Sequence, residues 1–121
     1  MDAISLRGVR AYGRHGVSEA ERAERRLIEL DVTVEMDLRR AQRTDALEQT
    51  LDYAQLYERL VRIVSTTSFS LLERLGGELL DAIFTDRRVA RAQLTLAKPG
   101  RLDGATPSVT LVRESPGYRA G

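Results

Sequence analysis

Residues 28–38 alternate without a break, with Ile28, Leu30, Val32, Val34, Met36 and Leu38 apolar and Glu29, Asp31, Thr33, Glu35 and Asp37 polar between them. Strand side chains point to opposite faces in turn, so this pattern predicts a strand with one face buried. Upstream, Ile4 and Leu6 occupy even positions, Val9 and Ala11 odd ones, and Gly8 stands where the parity changes. That predicts a first strand over 3–12, bulged near Gly8. Asp52 and Gln55 have the spacing of a helix N-cap and its third residue, and Leu56, Leu60, Ile63 and Val64 follow at helical intervals, predicting a helix over 53–65. Ser70 and Glu73 repeat the spacing ahead of Leu75, Leu79, Ile83 and Phe84, predicting a second amphipathic helix that ends near residue 85. Gly76 and Gly77 lie inside it at a cost of roughly 1 kcal/mol each relative to Ala. Either another backbone approaches there, or the small residues are there by chance.

Ala92, Leu94 and Leu96 alternate with Gln93 and Thr95 in a third strand, and Val109 and Leu111 mark a fourth after Pro107. The order ββααββ in so short a chain predicts an α+β fold, an antiparallel sheet with both helices on one face. Residues 1–114 are expected to form one domain, and residues 115–121, with Pro116 and two glycines, a loose tail.

Composition narrows the function. With 5% aromatic residues and no Trp, the core must be built from Leu, Val, Ile and Ala, and a modest core makes oligomerisation plausible. A formal charge of +1, with both signs interspersed, argues against nucleic acid or an anionic membrane as partner. No Cys and a single His leave no zinc site of the usual types within one chain, so metal-free chemistry without a cofactor is expected. No secretory signal opens the chain and no apolar run reaches membrane-spanning length, which makes the cytoplasm the expected location.

Lys98 is the only lysine, beside eighteen arginines. An ammonium can pass a proton, whereas a guanidinium stays charged at any workable pH. By parity Lys98 continues the face of Ala92, Leu94 and Leu96 and leaves its strand on the apolar side. Two readings stay open: a proton-handling group, or a rim lysine with its head in water. For Glu73, spacing alone favours a capping box with Ser70; the alternative is a carboxylate that accepts two adjacent N–H donors of a ligand. Tyr53, at the start of its helix, could lie against a flat ligand and donate a proton, or simply pack. Glu21 sits in a charged run and by itself looks solvated. His15 reads as a satisfied loop residue, with no partner identifiable from sequence.

Together these residues resemble a known family. Leu6-Arg7-Gly8, Tyr12-Gly13-Arg14-His15-Gly16-Val17, Glu21, Leu30-Asp31-Val32-Thr33-Val34, Thr50-Leu51-Asp52-Tyr53, Leu71-Leu72-Glu73 and Lys98-Pro99 follow, in order and spacing, the bacterial dihydroneopterin aldolases. The resemblance covers about residues 3–114. It implies the tunnelling fold, in which ββααββ subunits join their sheets into a barrel as a tetramer or octamer, with sites between neighbouring subunits. It implies that Glu73 anchors a pterin, helped by backbone groups of Leu71 and Leu72, and that Tyr53, with Leu51 beside it, arrives from the adjacent subunit. It implies a retro-aldol cleavage in folate biosynthesis, with Lys98 handling protons, Glu21 holding Lys98, and Tyr53 protonating the intermediate. The chain differs from many relatives at Ala23-Glu24-Arg25-Arg26 and across residues 100–107. Two other functions stay in play: an epimerase acting on dihydroneopterin or its triphosphate with the same residues, and a non-catalytic ferredoxin-like binding domain.

Overall fold

The computed structural model describes residues 1–118. In chain order it contains β1 (Ala3–Gly13), α1 (Glu19–Arg22), β2 (Arg26–Glu35), α2 (Arg39–Thr44), a 3-10 turn (Leu47–Gln49), α3 (Tyr53–Thr66), α4 (Leu72–Ile83), β3 (Arg91–Ala97) and β4 (Ser108–Glu114). The strands form one antiparallel sheet in the order β1-β2-β3-β4. β2 and β3 are sheet neighbours although both long helices lie between them in the chain, so the helices form a layer on one face. This is the α+β arrangement that the periodicity predicts.

The alternation in β2 decides which face. Ile28, Leu30, Val32 and Val34 are buried against the helices, and Ala92, Leu94 and Leu96 of β3 join them. The other face is polar, with the hydroxyl pairs Ser5–Thr33 and Thr95–Thr110 across neighbouring strands. The parity change in β1 is a bulge: Leu6 pairs with Val32 and Val9 with Leu30, which leaves Arg7 and Gly8 opposite Asp31. Gly8 takes φ +66°, a left-handed conformation that favours glycine, and its N–H donates to Asp31 Oδ1 at 2.7 Å.

α3 starts where Asp52 accepts hydrogen bonds from the amides of Ala54 and Gln55, and it buries Leu56, Leu60 and Val64 over β1. α4 packs over β3 and β4 with Leu75, Leu79, Leu80 and Ile83 buried. Gly76 is a packing site of another kind from the one expected: a Cβ there would stand 2.4 Å from Leu111 Cδ1 and 3.1 Å from Leu96 Cδ1, so side chains of the sheet, not a backbone, fill the space. A Cβ on Gly77 would meet nothing.

Two local readings are corrected. α4 begins at Leu72, and its N-cap, Leu71, provides no side-chain cap, so the Ser70–Glu73 box does not form. The first part of the expected tail is anchored, since Ser115 N–H donates to Ala90 O at 2.8 Å and Tyr118 Oη to Glu35 Oε1 at 3.3 Å. The rest of it, residues 119–121, lies outside the described residues. α1, α2 and the 3-10 turn are additions, each too short to show a period.

Candidate active site

A partial S-x-x-E box, missing at α4, is formed at α1, its carboxylate reaching the Val17 amide and not that of the N-cap itself. Ser18 is its N-cap, with Oγ accepting from Glu21 N–H at 3.1 Å, while Glu21 Oε1 accepts from Val17 N–H at 3.0 Å. The box turns Glu21 inward across Gly16, where a Cβ would stand 2.0 Å from Glu21 Oε1, so only glycine leaves room for the carboxylate. The charged run that looks solvated in sequence therefore delivers one carboxylate into the interior.

Lys98 meets it there. Its backbone N–H is held by Pro107 O at 3.0 Å just beyond β3, and its side chain leaves on the apolar face, as parity predicts. The residue is only 9% exposed, and Nζ lies 2.9 Å from Glu21 Oε2, so the rim reading with a solvated head does not hold. Arg101 Nη1 donates to the same Oε2. Lys98's hydrogen bond is the largest cause holding the Glu21 carboxyl below its usual range; burial opposes it, and the charges of Lys98 and Arg101 and the Val17 amide act with it.

His15 ties the neighbouring segments together. Nε2 donates to Val64 O at 2.9 Å, at the end of α3, and Nδ1 accepts from Phe69 N–H at 3.0 Å, just before α4. This pairing suits the neutral ring. Burial pushes the imidazole below its ordinary value; the Val64 carbonyl pulls the other way, and the nearby Lys98 charge adds to the lowering. Arg22 adds a second tie, donating to Gly16 O at 2.8 Å, Val17 O at 2.9 Å and Ser70 Oγ at 3.4 Å.

The result is a cavity of about 230 Å³ lined by Glu21, Lys98, Arg101, Leu71, Leu72 and Glu73 among others. Glu73, freed from the cap, is exposed and makes no hydrogen bond among the described residues. A carboxylate there can accept two parallel N–H bonds, and the first amides of α4 lack intrahelical acceptors. No group of three or more His, Cys, Asp or Glu side chains among the described residues is placed to share a metal ion.

Tyr53 and Leu51 are not in this cavity. They mark the start of α3, a helix of 14 residues and hence about 20 Å long, whose other end carries Val64 and its bond to His15. Leu51 lines a larger groove of about 570 Å³ at that far end, and Tyr53 is 62% exposed. The larger groove holds no Lys–Glu pair, so the smaller cavity is the candidate site. One chain thus brings together Glu21, Glu73, Lys98, Leu71 and Leu72 and leaves Tyr53 and Leu51 at the opposite end of the helical layer.

Three contributors escape sequence reading. Arg101 is one arginine among many, and only the turn after Lys98, with Gly100 at φ +65° and its N–H on Thr106 Oγ1, bends it back toward Glu21. Gly16 is marked only by its place beside His15. Arg88 holds the entry to α3, donating to Glu48 O at 2.8 Å and Thr50 O at 3.1 Å while paired with Asp86 at 2.7 Å.

Comparison with known proteins identifies the family and the fold. Residues 4–113 match the family model described as dihydroneopterin aldolase. A Synechocystis protein named "Probable dihydroneopterin aldolase" is 31% identical over 98 residues, covering 81% of this chain and 83% of its own length. The Bacillus subtilis dihydroneopterin aldolase is 36% identical over 83 residues, 69% of each chain. The crystal structure of the Escherichia coli dihydroneopterin aldolase in complex with neopterin superimposes with a TM-score of 0.88 over 93% of this chain and 99% of that one, at 24% identity, a likeness of fold. With the family model spanning nearly all of the described residues and the relatives agreeing in sequence, the chain belongs to the dihydroneopterin aldolase family.

Proposed function

We propose that residues 1–114 form one catalytic domain that cleaves 7,8-dihydroneopterin into 6-hydroxymethyl-7,8-dihydropterin and glycolaldehyde. The observation that carries this is the pairing of the chain's only lysine with a half-buried carboxylate, in a cavity rimmed by the Glu73 carboxylate, which has no hydrogen-bond partner among the described residues. Glu73 would accept the ring N–H and the exocyclic amino group of the pterin, with backbone groups of Leu71 and Leu72 completing the edge. Neopterin in the Escherichia coli relative is a ligand of the same class.

In the cleavage, the hydroxyl proton on the second side-chain carbon is taken by Lys98, directly or through water, and the bond between the first and second side-chain carbons breaks. The second carbon leaves as the aldehyde of glycolaldehyde. The electron pair stays on the first carbon and spreads into the ring C=N, so neither a Schiff base nor a metal ion is needed as electron sink. Protonation of the first carbon by Tyr53 gives the hydroxymethyl product, and the proton taken from the hydroxyl restores the balance.

Tyr53 can serve only from another copy, because its own chain holds it at the far end of α3. The reading therefore includes a homo-oligomer, a tetramer or octamer closed into a barrel, with Tyr53 and Leu51 of one subunit covering the cavity of the next. Exposed apolar side chains at that end, Leu47 at 63% and Tyr53 at 62%, support it. A cytoplasmic location belongs to the same proposal, on the strength of the family.

The test is incubation of the purified protein with 7,8-dihydroneopterin in the presence of a chelator, with assay of both products. Wild type should release glycolaldehyde, and Lys98→Ala should lower kcat by about 10²–10⁴-fold without loss of fold. Recovery of the pterin with only an inverted side-chain hydroxyl would replace the cleavage by an epimerisation, and unchanged pterin would point to a binding domain.

A further inference from the structure

The proposed chemistry sets Lys98 a problem. A base must give up its proton before it can take one, yet a carboxylate 2.9 Å away stabilises the ammonium and discourages that loss. When the ammonium does lose its charge, a half-buried Glu21 carboxylate would be left without a counter-charge, which is costly.

The loop after β3 answers both difficulties. Arg101 donates to Glu21 Oε2, the same oxygen that Lys98 binds, and its side chain is only 16% exposed. The guanidinium does not lose its charge at any working pH. Glu21 keeps a permanent partner whatever the state of Lys98, and Lys98 faces a fixed positive charge across a shared oxygen. We propose that Arg101 is a positioning residue that holds Glu21 and, by sharing its oxygen, loosens the carboxylate's grip on the Lys98 ammonium so that Lys98 can pass a proton to and from substrate. The inference rests on the aldolase reading for its purpose, but its geometry stands apart from it.

The charged and titratable groups that face Lys98 come from four elements: Glu21 from α1, Arg101 from the β3–β4 loop, Glu73 from the start of α4, and His15 from the segment after β1. His15 is neutral, and Glu73 shares the cavity without a hydrogen bond to Lys98. Glu21 and Arg101 are thus the two groups in contact that set the ammonium's balance. Nothing in the local sequence marks Arg101 out, and it falls in the stretch 100–107 where the chain departs from the family pattern.

Because Lys98 is the only lysine, protein labelled with 13C at the lysine ε-carbon gives a single resonance, and its titration reads this group directly without turnover. In Arg101→Gln the titration midpoint should move up by about one pH unit or more. Arg101→Lys, whose added resonance is told apart by comparison with wild type, should leave the Lys98 midpoint near the wild-type value. In the same variants the acid limb of the kcat profile should move with the midpoint, with KM little changed. Superimposable midpoints in wild type and Arg101→Gln would overturn the role of Arg101. Should Arg101→Gln fail to fold, Arg101→Met serves for the same titration, and a midpoint equal to wild type in it would overturn that role equally. A wild type that titrates as expected but releases no glycolaldehyde would defeat the aldolase reading and leave the electrostatic role intact.

Discussion

The two ends of the helical layer are built on opposite principles. Where α3 ends and α4 begins, charged and polar groups are turned inward and matched: Glu21 with Lys98, Arg101 and the Val17 amide, and His15 with Val64 and Phe69. Where α3 begins and α4 ends, the polar work is done by Arg88 holding backbone carbonyls, and apolar and aromatic side chains face outward around an open groove. The first end contains groups that can move protons, and the second contains surface in search of a partner. The proposal of a site divided between chains rests on that contrast.

The sharpest way to break that comparison is complementation. Tyr53→Phe and Glu73→Gln should each reduce kcat/KM by roughly 10²-fold, the first through kcat and the second chiefly through KM. If the two residues serve one site from different subunits, mixing the two impaired proteins after subunit exchange should restore about a quarter of wild-type activity at substrate concentrations below KM, since random assembly places both intact residues at that share of sites. No recovery from a mixture shown by mass spectrometry to have exchanged subunits would mean that Tyr53 and Glu73 do not meet across an interface.

A smaller effect tests whether the far end needs its shape. Arg88→Ala removes the bonds to Glu48 O and Thr50 O, which fix the segment leading to Leu51 and Tyr53. The side chain is about half exposed, so the loss should stay near 1–2 kcal/mol, a fall in Tm of roughly 4–8 °C. Activity at a temperature where the protein is fully folded should also drop, by about tenfold, because Tyr53 is less well aimed. An unchanged kcat with a lowered Tm would show that the clamp serves stability alone.

Much of this was legible in the chain and some was not, for physical reasons. Period-2 alternation marks β2 and the bulge at Gly8 because a sheet with one wet face enforces it residue by residue. Parity alone places Lys98 on the buried side. The capping signal misleads at Ser70–Glu73 and goes unnoticed at Ser18–Glu21, since both share one spacing and differ only in what lies around them: at α1 the glycine at 16 opens room for the carboxylate, and at α4 the Ser70 hydroxyl accepts from Arg22 instead. Arg101 and Arg88 depend on turns and on carbonyls far away in sequence, which no local pattern records. The resemblance assigns Tyr53 to a neighbouring subunit, and within one chain Tyr53 stands at the start of α3, away from the cavity that Glu73 lines.

The matched end predicts its own weakness toward acid. His15 is 3% exposed and holds Phe69 N–H through an unprotonated Nδ1, so the folded protein favours the neutral ring, whereas the unfolded chain takes up a proton near the ordinary value of 6.5. With the folded value depressed, the unfolded state binds more protons as pH falls below about 6.5, and stability must decline there; above that value the contribution is complete. The slope can reach at most about 1.4 kcal/mol per pH unit for a single group. Glu21 also favours its charged form, but its contribution is lost only below its ordinary value of 4.5, outside this window. Denaturation midpoints measured at pH 7.5, 6.5 and 5.5 should therefore fall in wild type and stay nearly level in His15→Gln, which keeps a donor toward Val64 and cannot titrate. Parallel pH dependence in the two proteins would show that titration of the imidazole is not what weakens the fold toward acid.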